Sequence, residues 1–99
     1  MIYTYSAIFN DDKEGSCHIS IPNLEYETDI DYSSHADMMK KSAQELGFAL
    51  WLYESESRIF PNPSTISDKG LQEDEYIGFI SCDYDKYKNY INIRNIPLD

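Results

Sequence analysis

The sequence predicts an α+β fold in which one long helix covers one face of an antiparallel sheet, in the order β-β-β-α-β. Three observations carry this expectation. Apolar residues alternate with period two in three segments before residue 32. Their spacing changes to three and four between residues 36 and 53. The period of two then returns at residue 75. With 99 residues, 41% apolar and 26% charged, the chain has the composition of one domain with a single two-layer core.

In the first strand, Tyr3, Tyr5, Ala7 and Phe9 oppose Ile2, Thr4, Ser6 and Ile8, and bulk on both faces predicts a central position. Residues 10–15 form a polar turn closed by Gly15, the loop of a hairpin. The second strand, residues 16–21, sets Cys17, Ile19 and Ile21 on one face, and Pro22 ends its ladder because it has no N–H to donate. A third strand follows over residues 24–30. There Leu24, Tyr26, Thr28 and Ile30 point inward, while Glu25, Glu27, Asp29 and Asp31 point to water.

Ser33 or Ser34 supplies the helix cap, and Asp37 in the first turn complements the helix dipole. Ala36, Met39, Ala43, Leu46, Leu50 and Tyr53 form the expected apolar stripe, with Lys40, Lys41, Gln44 and Glu45 on the polar side. Gly47 lowers helix propensity by roughly 1 kcal/mol relative to Ala and allows a strand to approach closely. Phe48, Trp51 and Leu52 lie off the stripe and are the candidate self-association residues, against a neighbouring element or a second subunit. Pro61-Asn62-Pro63-Ser64 is a stiff connector and Asp68-Lys69-Gly70 a turn. Residues 75–84 alternate with apolar groups on both faces, which predicts a strand inside the sheet. Beyond it, Tyr87, Tyr90, Ile91, Ile93 and Ile96 predict a partly ordered tail.

Eighteen acidic against eight basic residues give a net charge of −10, with no local basic patch. Such a chain is repelled by phosphate, so no direct nucleic-acid partner is expected, and its association with a basic protein is favoured. No run reaches the roughly 20 apolar residues that span a bilayer, so no membrane partner is expected. The start lacks a basic and then apolar leader, and two cysteines are too few for a disulfide framework, which together predict a cytoplasmic protein.

Chemistry-bearing motifs are sparse. Cys17 and His18 are strand neighbours that face opposite ways, His35 stands at a helix start, and no metal-ligand spacing occurs. No metal and no cofactor are expected. Cys17 and Cys82 fall in strand patterns, where thiols are small inert hydrophobes, and no nucleophile elbow or glycine-rich phosphate loop is present. The remaining catalytic alternative is a magnesium-dependent nuclease using Asp29, Asp31, Glu45, Asp83 and Asp85, provided these carboxylates converge. The simpler expectation is solvated strand ends and a polar helix face, hence a protein that is not an enzyme.

Several segments, in order, resemble the HicB-like antitoxins of bacterial toxin–antitoxin pairs. Tyr5-Ser6-Ala7-Ile8-Phe9 and the acidic turn look like that family's opening hairpin. Ile19-Ser20-Ile21-Pro22-Asn23-Leu24 is similar to its aliphatic-x-aliphatic-Pro-Asp-Leu signature. Thr28-Asp29 and the helix from Ala36 to Leu50 resemble its next strand and helix. Phe60-Pro61-Asn62-Pro63-Ser64 is similar to its Leu-Pro-x-Pro-Ser connector, and Ile80 to Tyr87 to the strand ending in Val-Asp-x-x-x-Tyr. The resemblance spans residues 3–87 and implies a domain over 1–87 with a short tail over 88–99.

It also implies a degenerate ribonuclease-H-like fold and a partner, a small basic HicA-like ribonuclease whose RNA-binding surface the antitoxin masks. The acidic residues Glu25, Glu27, Asp29 and Asp31 are then the candidate toxin contacts, and a homodimer or higher oligomer is expected. Two features depart from the family. The sequence stops at Ile96-Pro97-Leu98-Asp99, about where a C-terminal DNA-binding module usually begins, so operator binding by this chain alone is not expected. Glu25-Tyr26-Glu27 replaces the small pair that usually follows the Pro-Asp-Leu signature.

Overall fold

A computed structural model describes residues 1–94 of the chain. Four strands, β1 (Ile2–Asp11), β2 (Ser16–Ile21), β3 (Tyr26–Asp31) and β4 (Glu75–Asp83), form one antiparallel sheet in the order β3-β2-β1-β4. The long helix α1 (His35–Ser55) packs on one face, and α2 (Tyr84–Arg94) follows β4 directly.

The core follows from the period of two. Tyr5, Ala7 and Phe9 of β1 meet Cys17, Ile19 and Ile21 of β2 and Ile80 and Cys82 of β4 on the covered face, all buried. The registers Phe9↔Ile19 and Phe9↔Tyr76 align these rows. The opposite face is covered only in part: Pro63, Ser64 and Thr65 of the segment before β4 lie beside Thr4, Ser6 and Phe79, and Ser6 is buried, while Ile2 and Phe79 are 67% and 68% exposed there.

Ser34 caps α1 by accepting the Asp37 N–H at 3.1 Å, while the Asp37 carboxylate accepts the Ser33 N–H at 3.0 Å. One orphan helix-end donor is thereby satisfied, and the residue before the cap is tied to the first turn. The connector between α1 and β4, residues 56–74, is held by three anchors. Tyr5 donates its hydroxyl to the Pro61 carbonyl at 2.6 Å. Phe60 packs edge-on against Tyr3 and Tyr84, at 5.2 and 5.5 Å. Asn23 and Ser64 exchange two hydrogen bonds of 2.9 Å.

Four expectations need correction. β4 is an edge strand and not interior: β1 is its one strand neighbour among the described residues, and its second apolar face leaves Phe79 largely exposed instead of buried. β1 is central as expected, but its outer face is only partly covered, with Ser6 buried and Ile2 exposed, so strand order and not two-sided burial puts it there. The third strand starts at Tyr26, since Pro22–Leu24 wind into a single 3-10 turn that buries Leu24. The buried stripe of α1 runs through Met38, Ser42, Leu46, Ala49, Leu50 and Tyr53, leaving Ala36 exposed and Met39 and Ala43 at the margin. Ser42 is buried at no cost in unmet polarity because its hydroxyl donates to the Met38 carbonyl at 2.7 Å.

Helix α2 extends through residue 87, where the sequence predicts the domain to end. Tyr90, Ile91 and Ile93 belong to α2, and Ile96 lies outside the described residues. The close approach expected at Gly47 is made by a side chain of α2 and not by a strand. A β-carbon there would lie 2.5 Å from ring atoms Cγ and Cδ1 of Tyr87. Those atoms sit at the root of the ring and cannot swing away freely. Gly47→Ala is therefore expected to destabilise the fold by about 1–2 kcal/mol, the overpacking cost exceeding the propensity gain of roughly 1 kcal/mol. Urea unfolding checks it, and a stabilised variant would show that Tyr87 does not pack there.

Candidate functional site

Strand β3 is the outer edge beside β2, and its alternation sends Glu27 and Asp29 to solvent with side chains 70% and 76% exposed. Asp31 ends the same row, also exposed. Glu25 stands just before the strand in the left-handed region, at φ 51° and ψ 43°, where its N–H donates to the Pro22 carbonyl at 3.1 Å. The four acidic residues predicted as toxin contacts thus share one sheet edge. Lys41 reaches this edge from α1, donating to the Asp31 carbonyl oxygen at 2.7 Å and pairing with Asp37 at 3.4 Å.

The pairing of β2 with β3 also seats a histidine that sequence considered only as a metal ligand. His18 is the register partner of Asp29. Its Nδ1 lies 2.6 Å from Asp29 Oδ1 and its Nε2 lies 2.8 Å from Glu27 Oε1. A carboxylate at each nitrogen favours the doubly protonated ring, so its pKa is raised, by the Asp29 hydrogen bond first and then that of Glu27. The Cys17 thiol points the other way into the core, where burial pushes its pKa up to about 11, as it does for Cys82.

This seat has a pH consequence. A pKa raised above the unfolded value contributes stability fully present below about pH 6.5 and lost as pH rises through the folded pKa. Wild type is therefore expected to lose its advantage over His18→Gln across that window. Paired unfolding curves at several pH values check it, and an advantage that grows with pH would refute the double pairing.

The carboxylates of the nuclease alternative do not come together. Asp29 and Asp31 lie on one edge of the sheet and Asp83 on the other, three strand spacings or about 14 Å across. Asp85 accepts from the Met1 ammonium at 2.6 Å, with Asp83 at 3.6 Å from the same group. Glu45 accepts from the Tyr26 hydroxyl at 2.6 Å. Among the described residues, no group of three or more His, Cys, Asp or Glu is placed to hold a metal ion.

Tyrosine hydroxyls account for much of the polar stitching around the core. Tyr26 donates to Glu45, Tyr32 to Asp11 and Tyr84 to Glu54, while Tyr53 donates to the Leu24 carbonyl. For Tyr26 and Tyr84, burial first and the neighbouring carboxylate second raise the phenol pKa. Tyr26 also joins the acidic edge to the predicted self-association residues. Phe48 lies 6.2 Å from its ring and stacks on Trp51 at 6.0 Å; both stay more than a third exposed, with Leu52 half-buried. Between these elements lies a shallow hollow of about 460 Å³, lined by Tyr26, Thr28, Gln44, Glu45, Phe48 and Tyr87.

The molecule is thus an open-faced α+β sandwich with an acidic free edge, bordered by exposed aromatic rings. No family model and no curated protein matches the chain. A chain of a solved toxin–antitoxin complex from Streptococcus pneumoniae is similar in structure, with a TM-score of 0.66 at 21% identity. The match covers 88% of this chain and 73% of that one, and at this identity it shows a shared fold.

Proposed function

We propose that this chain is the antitoxin of a toxin–antitoxin pair, a non-enzymatic protein that neutralises a small basic HicA-like ribonuclease by covering its RNA-binding surface. The observation that carries the reading is the fold shared with a chain of a toxin–antitoxin complex over 88% of the present one. The HicB-like order of motifs points the same way. Glu25, Glu27, Asp29 and Asp31 present the charge that a surface built for phosphate would meet, on a strand whose outer backbone edge has no strand neighbour among the described residues. Opposite potentials steer such partners together, so the complex is expected to weaken as salt rises.

The test is direct. The full chain is co-expressed with the basic HicA-like protein of a neighbouring reading frame, and pull-down and growth are scored. Stable capture with rescue of toxin-arrested growth supports the reading. Absence of both overturns it.

A further inference from the structure

The two edges of the sheet differ in a way that sorts partners. The β3 edge carries four acidic residues, so two copies of this chain repel one another there. On β4, the stretch Tyr76-Ile77-Gly78-Phe79-Ile80-Ser81-Cys82 has no charge and no proline. Edge strands are ordinarily protected by lysine, proline or a bulge, because their unpaired N–H and C=O groups template another strand. The nine-residue β4 pairs with β1 without a break and has no other strand neighbour among the described residues. Its outward side chains include Phe79 at 68% exposure, and Tyr76 is 42% exposed while stacked on Phe9.

We propose that β4 is a self-recognition edge, through which two copies of this chain pair antiparallel about a twofold axis at Gly78 and form one continuous eight-stranded sheet. Charge within the strand favours one register. A pairing centred on Phe79 sets Glu75 of one copy against Asp83 of the other, like charges paired at both ends of the strand. Centring on Gly78 sets Glu75 against Ser81 instead, leaves Asp83 opposite Glu73 in the turn beyond the partner's strand, and sets Ile77 against Phe79 on the more open face. Tyr76 then faces Ile80, and Gly78 faces Gly78, where the Phe9 ring already fills the space a β-carbon would take, 2.9 Å from its Cε1 atom. The acidic β3 edges stay at the outer rims of the joined sheet, so self-pairing and the capture of a basic partner use opposite sides. The inference does not depend on the antitoxin reading.

An edge contact with few apolar side chains lies at the small end of interface sizes, so the dimer is expected to be weak and to dissociate on dilution. Sedimentation of the full chain over a concentration series is expected to show a monomer–dimer equilibrium, with amide exchange over residues 76–82 slowing as the dimer forms. Phe79→Lys alters an exposed side chain and adds an edge lysine, and is expected to raise the dissociation constant roughly 30-fold or more with an unchanged circular dichroism spectrum. Trp51→Glu is expected to leave it unchanged. A chain that is monomeric at every concentration overturns the proposal, as does a dimer lost in Trp51→Glu but retained in Phe79→Lys. So does a dimer whose formation leaves exchange over 76–82 unaltered.

Discussion

Phe9→Ala is expected to lower the unfolding free energy by about 3–5 kcal/mol. Phe9 is 1% exposed at the centre of the sheet, between Ile19 on β2 and Tyr76 on β4. Its ring stacks on Tyr76 at 5.2 Å and occupies the space left open by Gly78. Removing it leaves a cavity bounded by two hydrogen-bonded neighbouring strands, which cannot close together to fill the void. A domain of this size has about 5–15 kcal/mol in total, so the variant sits near the unfolding threshold, with a melting temperature at least 12 °C lower by the usual scaling of roughly 4–8 °C per kcal/mol. Phe79→Ala is the matched control, since the same side chain on the outer face is 68% exposed and its removal is expected to cost well under about 1 kcal/mol. Thermal melts followed by circular dichroism compare the two. Equal losses would mean that the outer face is covered as well.

Reversing all four edge acids, Glu25, Glu27, Asp29 and Asp31, to lysine is expected to weaken capture of the basic toxin by about 100-fold or more, chiefly through slower association. Each exposed pair alone contributes little, about 0.2–1 kcal/mol, so the four must act as one field for the effect to be large. The control reverses Asp68, Glu73, Asp74 and Asp85, all exposed and away from β3, with the same change in net charge. Surface plasmon resonance at two salt concentrations separates the cases. If both quartets weaken binding equally, total charge and not the β3 edge is responsible. His18 modulates the same field, because its protonated ring lies between Asp29 and Glu27 and offsets part of their charge. Toxin capture is therefore expected to tighten as pH rises through the His18 pKa.

The legible parts of this fold are those written in local periodicity. The alternation of Tyr5, Ala7 and Phe9, the proline that ends β2 and the apolar-in, acidic-out pattern of β3 each depend on neighbours one or two residues apart. Helix α1 was legible in extent but rotated in face. Its apolar count omits Ser42, whose polarity is cancelled by a hydroxyl bond to Met38, and that places the stripe on the wrong side of the first two turns. Helix α2 was not legible. Among its described residues Asp85, Lys86 and Lys88 leave no broad apolar face, and contact of Tyr84 and Tyr87 with the rest of the core holds it in place.

By itself the sequence determined the fold class, the meander order, the acidic balance and the exposure of Glu25, Glu27, Asp29 and Asp31. Only the tertiary structure decided that β3 and β4 are the two edges, that His18 sits between Glu27 and Asp29, and that the nuclease carboxylates lie on opposite sides of the sheet. The physical reason is range. Periodicity is set by the geometry of adjacent residues, whereas strand order and register arise from pairings tens of residues apart, of which Ile2 with Asp83 is the extreme here. An apolar face looks the same in sequence whether another layer covers it or it is left open. Strand order is likewise silent in sequence, and it alone makes β4 an edge and the surface on which a second copy is proposed to pair.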